Sequence, residues 1–317
     1  MQQTTDNLEL FYDCLDNSNN FLYEIYHKPY FELLEMTVQN ILCGEIKQDL
    51  DDDDKVKLQK IYDTIADVDF SVEDVRKAMQ AIVLRGFKEM KIPNGNTTPD
   101  TLGIFLSYLI SKLNHNKSMS IIDPLCGTGN LLLTISNHLD KKLNLFACDH
   151  DVWMTKLTSM TADLLSVNVE VYLQDTMNLS LKNLDCVVFD MPHCIYEENN
   201  KSYFPYKAIL HYKDMLNDGG CMIGIVENDF FDYDKNKLFK NELLKSMSIL
   251  GIVELPDQML VSKPKIIIVL QKVVVTDKKC FMVKLPSFTN VKEFNSSLME
   301  IEAWFEKYNY NRRSEEN

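Results

Sequence analysis

Apolar residues near the start of the chain recur at steps of three and four. Leu33, Leu34, Val38 and Ile41 show this spacing, and Pro29 interrupts it. Such a period places apolar side chains on one face of a helix, and proline ends a helix because it lacks the backbone donor. The pattern over residues 8–90 therefore predicts a small all-helical amino-terminal domain.

Beyond residue 96, short apolar runs alternate with segments of helical composition. Strands are predicted at 119–122, 144–148, 169–173, 185–189, 221–226, 249–255, 265–271 and 281–284, and helices at 101–113, 152–167, 206–216, 236–247 and 291–308. Repeated βα units predict an α/β fold with a doubly wound, mostly parallel sheet, which ends in a strand pair without a helix between its members. The breaker-rich segment 92–96 predicts a division into domains 1–95 and 96–317.

One strand, turn and helix organise the second domain. The apolar run 119–122 is followed by the sequence DPLCGTGN at 123–130 and then by helical composition. Gly127 and Gly129 let a ligand approach the backbone where a Cβ would clash, and the N–H groups at a helix start favour a negatively charged group. The third glycine of dinucleotide-binding turns is missing, which disfavours NAD and FAD. The alternative is a turn that only packs the strand against the helix.

The pattern D-P-x-C-G-T-G-x-L-L at 123–132 resembles motif I of the class I S-adenosylmethionine (AdoMet) methyltransferases. The form is that of the N6-adenine DNA methylases related to type I restriction-modification M subunits. The resemblance implies a Rossmann-like sheet of seven strands, the last antiparallel, and AdoMet as cofactor. It implies cofactor contacts from Asp123, Pro124, Cys126, Gly127, Thr128, Gly129 and Asn130.

Further cofactor residues follow from the same resemblance. Thr98 lies in a T-P-x-x-L segment that resembles motif X, which reaches the methionine end of AdoMet, and it also suits a helix cap. Asp149, followed by His150, ends the second strand, where a carboxylate can accept both ribose hydroxyls. Asp175, followed by Thr176, ends the third strand, where the family places an acceptor for the adenine amino group. The alternative for each aspartate is a turn residue without a ligand.

The fourth strand ends in the tetrapeptide Asp190, Met191, Pro192 and His193. It resembles motif IV, which reads [N/D/S]-P-P-[Y/F] in enzymes that methylate an exocyclic amine. In that family the first side-chain oxygen and the second carbonyl accept hydrogen bonds from the amine. The amine lone pair is thereby aimed at the sulfonium methyl, while the aromatic ring stacks on the flipped base. The tetrapeptide and these roles predict the catalytic residues of this chain, and Asp190 is also expected to contact the cofactor.

Two positions depart from motif IV. The first proline is absent, which loosens the turn, and His193 is a weaker stacking platform than tyrosine or phenylalanine. Tyr196, Tyr203 or Phe204 are candidates to supply the ring, and a half-exposed loop histidine is the alternative for His193. Together with the helical start and the lack of a separate DNA-recognition domain, this is similar to the YtxK-like subgroup from low-GC Gram-positive bacteria.

Composition limits the choice of partners. The net charge of −14 on 317 residues deprives the chain of the electrostatic capture that free-standing DNA enzymes use, so DNA is expected to bind weakly unless a partner subunit supplies a basic surface. The eight cysteines form no C-x-x-C pair and the histidines lie apart, so no metal site is expected. No apolar run approaches about 18 residues and no signal sequence precedes the helices, so we expect a cytoplasmic protein without membrane association.

The leading functional hypothesis is an AdoMet-dependent N-methyltransferase of the adenine-specific DNA type. One alternative is an AdoMet-binding interaction or regulatory protein that has lost catalysis, suggested by the altered motif IV and the acidic charge. Another is a methyltransferase that acts on RNA, protein or a small molecule. The distribution of lysine and arginine around the strand ends should discriminate between these classes.

Overall fold

The computed structural model describes residues 3–92, 97–197, 202–256, 263–273 and 280–315. Its amino-terminal part consists of α1 (Gln3–Tyr26), α2 (Tyr30–Cys43), α3 (Asp52–Asp63) and α4 (Val72–Glu89). Pro29 separates the first two helices, and Ser71 and Asp74 cap α4 by reciprocal hydrogen bonds between side chain and backbone. The predicted helical start is confirmed, whereas residues 93–96 of the predicted domain boundary lie outside the described residues.

Strands and helices alternate in the rest of the chain. The strands are β1 (Ser118–Asp123), β2 (Lys142–Asp149), β3 (Val169–Leu173), β4 (Leu184–Asp190), β5 (Leu216–Glu227), β6 (Ser248–Glu254), β7 (Lys265–Gln271) and β8 (Phe281–Lys284). The helices are α5 (Asp100–Leu113), α6 (Asn130–His138), α7 (Val152–Leu164), α8 (Phe204–Lys213), α9 (Leu238–Leu243) and α10 (Val291–Glu315). The predicted α/β class is confirmed.

The eight strands of the described segments form one sheet in the order β3-β2-β1-β4-β5-β7-β6-β8. Strands β1 to β5 pair in parallel, and β7 runs antiparallel to both of its neighbours. The prediction of seven strands was wrong by one, because β8 adds to the edge of the sheet in parallel register with β6. The direction of β7 has a consequence for the site: its first residue, Lys265, pairs with Glu227 at the end of β5.

Apolar side chains cover both faces of the sheet. One core joins the sheet to α5, α6 and α10, and the other joins it to α8 and α9. A third core contains Phe31 and Phe87 from the amino-terminal helices together with Leu133 of α6 and Leu157 of α7. Burial of each such side chain contributes roughly 1.5–3 kcal/mol to the stability of the folded state. The amino-terminal helices therefore pack directly on α6 and α7, the helices that follow β1 and β2. Within the described segments, no helix has the length and apolar character needed to span a bilayer.

Candidate functional site

The loop after β1 depends on two glycines in the left-handed region. The φ angle is 53° at Gly127 and 78° at Gly129, where other residues are strained. A Cβ on Gly129 would also lie 2.9 Å from side-chain atoms of Thr158 in α7. The N–H group of Gly127 donates to Oδ2 of Asp149 at 3.0 Å. The loop is therefore held against the carboxyl end of β2, and it packs closely on α7 because Gly129 has no side chain.

Acidic residues meet at this edge of the sheet. Asp123 ends β1 and is 1% exposed, and its Oδ1 accepts a hydrogen bond from the N–H of Leu125 at 3.1 Å. Burial is the main reason that the pKa of Asp123 is raised to about 8; the charges of Asp149 and Asp190 act in the same direction, and the hydrogen bond from Leu125 opposes them. Asp123 is therefore uncharged at neutral pH, and the negative charges of Asp149 and Asp190 are what favour a cationic ligand at this edge.

The buried carboxyl of Asp123 predicts a pH dependence of stability. Its pKa of about 8, against an ordinary value of 3.8, means that the folded protein keeps a proton that the unfolded chain has lost between these values. Stability should therefore fall by about 1.4 kcal/mol per pH unit as the pH rises through this window. Urea unfolding of the wild type and of Asp123→Asn measures the effect, since asparagine cannot ionise. Identical slopes for the two proteins would contradict the prediction.

Thr98 and Asn130 lie at the site but direct their side chains toward protein partners. The hydroxyl of Thr98 donates to Oδ2 of Asp190 at 3.0 Å, and α5 begins two residues later, so Thr98 does not cap it as the sequence suggested. The amide of Asn130 donates to the carbonyl of Thr98 at 2.7 Å and to Asp100 at 2.9 Å. These bonds tie the motif X segment to motifs I and IV.

Arg76 of α4 joins the same network from the amino-terminal helices. Its side chain is 1% exposed and donates to Oδ1 of Asn130 at 2.8 Å. It also forms bidentate bonds with Asp100, at 3.0 and 2.7 Å, and with Glu73, at 2.9 and 2.7 Å. A buried guanidinium requires such partners because it cannot lose its charge. The helical region thereby fixes the first turns of α5 and α6.

The other predicted residues of the glycine loop serve its internal packing. Pro124 and Cys126 are buried, and the N–H of Cys126 donates to the carbonyl of Cys148 at 2.9 Å. Burial raises the pKa of the Cys126 thiol, which keeps it protonated and unreactive. The hydroxyl of Thr128 lies 3.4 Å from that of Thr97. These side chains shape the loop, and a cofactor would meet its backbone.

The ends of β2 and β3 supply the remaining predicted cofactor residues. His150 is 83% exposed, and its Nδ1 lies 3.4 Å from Oδ1 of Asp149. Asp175 is exposed and accepts a hydrogen bond from the N–H of Met177, so it caps a short 3₁₀ turn. The hydroxyl of Thr176 is buried and lies 2.7 Å from that of Tyr212. Asp149 and Asp175 thus lie at adjacent strand ends, as the sequence predicted.

The motif IV aspartate is already engaged. Lys265, at the start of β7, donates to Oδ1 of Asp190 at 2.6 Å, and Thr98 occupies Oδ2. The side chain of Asp190 is 17% exposed and that of Lys265 is 19% exposed. Met191 is buried, and its N–H donates to the carbonyl of Ile225 at 2.9 Å, while Pro192 is exposed. Each carboxylate oxygen retains a second lone pair for an incoming donor.

His193 forms a close pair with the acid that ends β5. Its Nδ1 lies 2.6 Å from Oε1 of Glu227, whose side chain is 7% exposed, whereas His193 is 59% exposed. Lys263 approaches Oε2 of the same glutamate at 3.5 Å. Glu227 is thereby paired on both oxygens, as a buried carboxylate requires.

A cavity of about 950 Å³ opens beside His193. Tyr233 forms its aromatic wall, with the ring of Tyr196 stacked on it at 5.3 Å and 10° and that of Tyr203 at 4.6 Å and 40°. Three lysines and two aspartates are among the described residues that line it. The volume and the aromatic wall suit a planar ring, and the mixed charge differs from the basic track of a free-standing DNA enzyme.

Several residues of the site were not predicted from the sequence. Glu227 ends a strand as Asp190 does, and the same rule for acids at strand ends would have found it. The resemblance implied an antiparallel seventh strand, and that direction would have placed Lys265 beside the end of β5. Arg76 lies outside every motif, on a helix of the other region. Among the described residues, no group of His, Cys, Asp or Glu is arranged to hold a metal ion.

Two family profiles match consecutive parts of the chain. The YtxK N-terminal helical domain matches residues 9–87, and N-6 DNA Methylase matches residues 95–316. A similar curated protein is the uncharacterized protein YtxK of Bacillus subtilis (strain 168). It is 28% identical over 280 residues, which cover 80% of this chain and 84% of that protein.

Solved structures share the architecture. A protein of Listeria monocytogenes assigned to the class I S-adenosylmethionine-dependent methyltransferases has a TM-score of 0.84 and 28% identity, over 95% of this chain and 99% of that one. The methyltransferase subunit of a type I restriction-modification system from Streptococcus thermophilus has a TM-score of 0.57 and 13% identity, over 89% and 82% of the two chains, a likeness of fold alone. The N-6 DNA Methylase profile matches more than half of the chain, and the Listeria monocytogenes structure shares its architecture. The chain therefore belongs to the N-6 DNA methylase family and has the class I methyltransferase fold.

Proposed function

We propose that the protein binds AdoMet at the carboxyl ends of β1 to β4 and transfers its methyl group to an exocyclic amine, as adenine-specific DNA methyltransferases do. The observation that carries the proposal is the hydrogen bond from the N–H of Gly127 to Asp149. It lies within a rim of acidic residues at the strand ends, formed by Asp123, Asp149 and Asp190. The family membership supports it. AdoMet carries an electrophilic methyl group on a positively charged sulfur.

The residues of the rim fit this cofactor. The Gly127 and Gly129 backbone suits close approach of a ligand, and Asp149 offers carboxylate lone pairs to ribose hydroxyls. Asp175 lies at the neighbouring strand end, where it suits the adenine amino group. The buried Asp123 keeps its proton at neutral pH, so the negative charge of the rim comes from Asp149 and Asp190. Thr98 and Asn130 would affect cofactor binding indirectly, because their hydrogen bonds hold the segment before α5 against the glycine loop and the end of β4.

The acceptor amine would enter by the cavity beside motif IV. Its ring would stack on the wall formed by Tyr196 and Tyr233, and Asp190 would accept a hydrogen bond from the amine through a free lone pair. A bond of this kind directs the nitrogen lone pair toward the methyl group. The net charge of −14 and the mixed charge of the cavity favour a partner subunit that supplies contacts to a DNA backbone.

We also propose that residues 1–95 form a helical domain and residues 96–317 the methyltransferase domain. The two profile matches, which meet between residues 87 and 95, support this division.

The cofactor half of the proposal is tested by calorimetry. Wild-type protein should bind AdoMet, and Asp149→Ala should weaken binding about 100-fold, because about 3 kcal/mol of charge-assisted hydrogen bonding is lost. Asp140→Ala, an exposed acid between α6 and β2, is the matched control and should bind like the wild type. Absence of binding by the wild type would contradict the proposal.

The transfer half is tested with tritium-labelled AdoMet. Unmethylated DNA, RNA and protein from a lysate are offered in parallel, and we expect label in DNA adenine. Label in RNA or protein instead would support methyltransferase activity but would show that the acceptor is not DNA.

A second candidate function is favoured by the ion pair of Asp190 with Lys265. Because an ammonium group occupies the acceptor that an amine would use, the protein would bind AdoMet as a non-catalytic interaction or regulatory protein. This candidate predicts binding by calorimetry, no transfer to any class, and normal cellular function after Asp190→Ala.

A further inference from the structure

His193 and Glu227 have the arrangement of a general base and the carboxylate that orients it. The carboxylate can only accept, so the 2.6 Å contact assigns the proton of the pair to Nδ1 of His193. In that tautomer Nε2 carries a lone pair. No described residue hydrogen-bonds to Nε2, and the imidazole lines the cavity beside motif IV. The pair therefore presents a proton acceptor to whatever occupies the cavity.

The proposed reaction creates a need for such an acceptor. A neutral amine that gains a methyl group becomes a cation and must lose a proton. Asp190 is the acid of the motif, yet both of its oxygens already accept hydrogen bonds, one of them from the ammonium of Lys265. His193 stands three residues further along the same segment and carries no competing donor at Nε2.

We propose that His193 is a catalytic residue that takes the proton released by methyl transfer, and that Glu227 is its positioning residue. This inference rests on the proposed function. The acceptor nitrogen forms a bond to the methyl carbon while the carbon–sulfur bond breaks and its electron pair passes to sulfur. The nitrogen–hydrogen bond then breaks, its electrons return to nitrogen, and the proton moves to Nε2. The positive charge ends on the imidazolium, beside the carboxylate of Glu227.

The inference narrows the class of acceptor. The methylated nitrogen must bear at least one hydrogen, as the exocyclic amine of adenine does. A ring nitrogen without hydrogen, such as N1 of adenine, would carry no proton of its own to give to His193 after methylation. We therefore expect the exocyclic N-methyl product and none methylated at ring nitrogen.

A simpler role for His193 would be to neutralise the buried Glu227. Lys263 already lies 3.5 Å from the other oxygen of that glutamate, so the acid has a second cationic neighbour. Neutralisation also makes no use of the open Nε2. The two roles differ in what happens when the imidazole is removed and then returned as a free molecule.

The experiment uses the full-length protein, tritiated AdoMet and a single-stranded oligonucleotide that contains adenine. His193→Ala should lower kcat about 100-fold, and free imidazole should restore part of it, because the side chain is exposed enough to be replaced. Glu227→Gln should lower kcat about tenfold with KM little changed. His115→Gln, an exposed histidine in the loop before β1, is the matched control and should behave like the wild type.

A readout apart from turnover is the proton NMR spectrum of the cofactor-free protein. The Nδ1 proton of His193 should resonate far downfield and disappear in Glu227→Gln. Calorimetry should show that every variant still binds AdoMet. If the wild type transfers methyl but His193→Ala is equally fast, or imidazole does not restore its rate, the inference fails and the proposed function survives. If the wild type does not bind AdoMet, or binds it but labels neither the oligonucleotide nor DNA, RNA or protein, both fail.

Discussion

Replacement of Arg76 by leucine is expected to lower the free energy of unfolding by about 3 kcal/mol. The side chain is 1% exposed, and its loss leaves Glu73, Asp100 and Asn130 without their shared donor. Chemical denaturation measures the change. AdoMet affinity should fall as well, because Asn130 and Asp100 occupy the first positions of the two helices that border the glycine loop.

The matched control for this prediction is the next residue of α4. Lys77 contacts the same Glu73 at 3.4 Å but is 46% exposed, so Lys77→Leu should cost less than about 1 kcal/mol. Equal losses for the two variants would mean that burial of the guanidinium is unimportant. A large loss of stability in Arg76→Leu with unchanged AdoMet affinity would show that the network holds the fold but does not set the cofactor loop.

The second large effect is expected at Asp190. Asp190→Ala should lower the rate of methyl transfer about 100- to 1000-fold, because the amine loses the acceptor that orients it. AdoMet affinity should change less than about tenfold, since the glycine loop and Asp149 remain. Single-turnover transfer to the acceptor identified by the tritium screen measures the rate, and calorimetry measures the affinity.

Asp190→Asn separates geometry from charge. The amide keeps an oxygen that accepts from Lys265 or from the amine, so this variant should retain more activity than the alanine variant. An alanine variant as fast as the wild type would remove Asp190 from the mechanism. A wild type without transfer to any acceptor would favour the non-catalytic candidate.

The sequence was sufficient for the elements that depend on local pattern. Apolar runs predicted the other strands to within two residues, whereas β5 begins five residues before its predicted start; the glycine spacing identified the loop after β1. It failed where pairing between distant segments decides the outcome. The four-residue strand Phe281–Lys284 was predicted, but nothing local indicates that it joins the sheet beside β6.

The same limit applies to the site. Asp149 and Asp175 were placed at adjacent strand ends because parallel strands bring their carboxyl ends together. The partners of Asp190 and His193 were not foreseen, since Lys265 and Glu227 are 75 and 34 positions away in sequence. Side-chain direction was equally out of reach, and Asn130 proved to bond to Thr98 and Arg76 within the protein.

The chain contains two tryptophans, one beside the amino-terminal helices and one in the carboxyl-terminal helix. Trp153, on α7, lies 5.9 Å from the ring of Phe31 in α2, and Trp304, on α10, stacks on Tyr308 at 5.0 Å. Indole emission shifts to longer wavelength when water reaches the ring. Each indole can therefore be used as an intrinsic fluorescent probe. If Trp304 is replaced by phenylalanine, the emission of Trp153 reports separation of the amino-terminal helices. If Trp153 is replaced by phenylalanine, the emission of Trp304 reports release of the carboxyl-terminal helix.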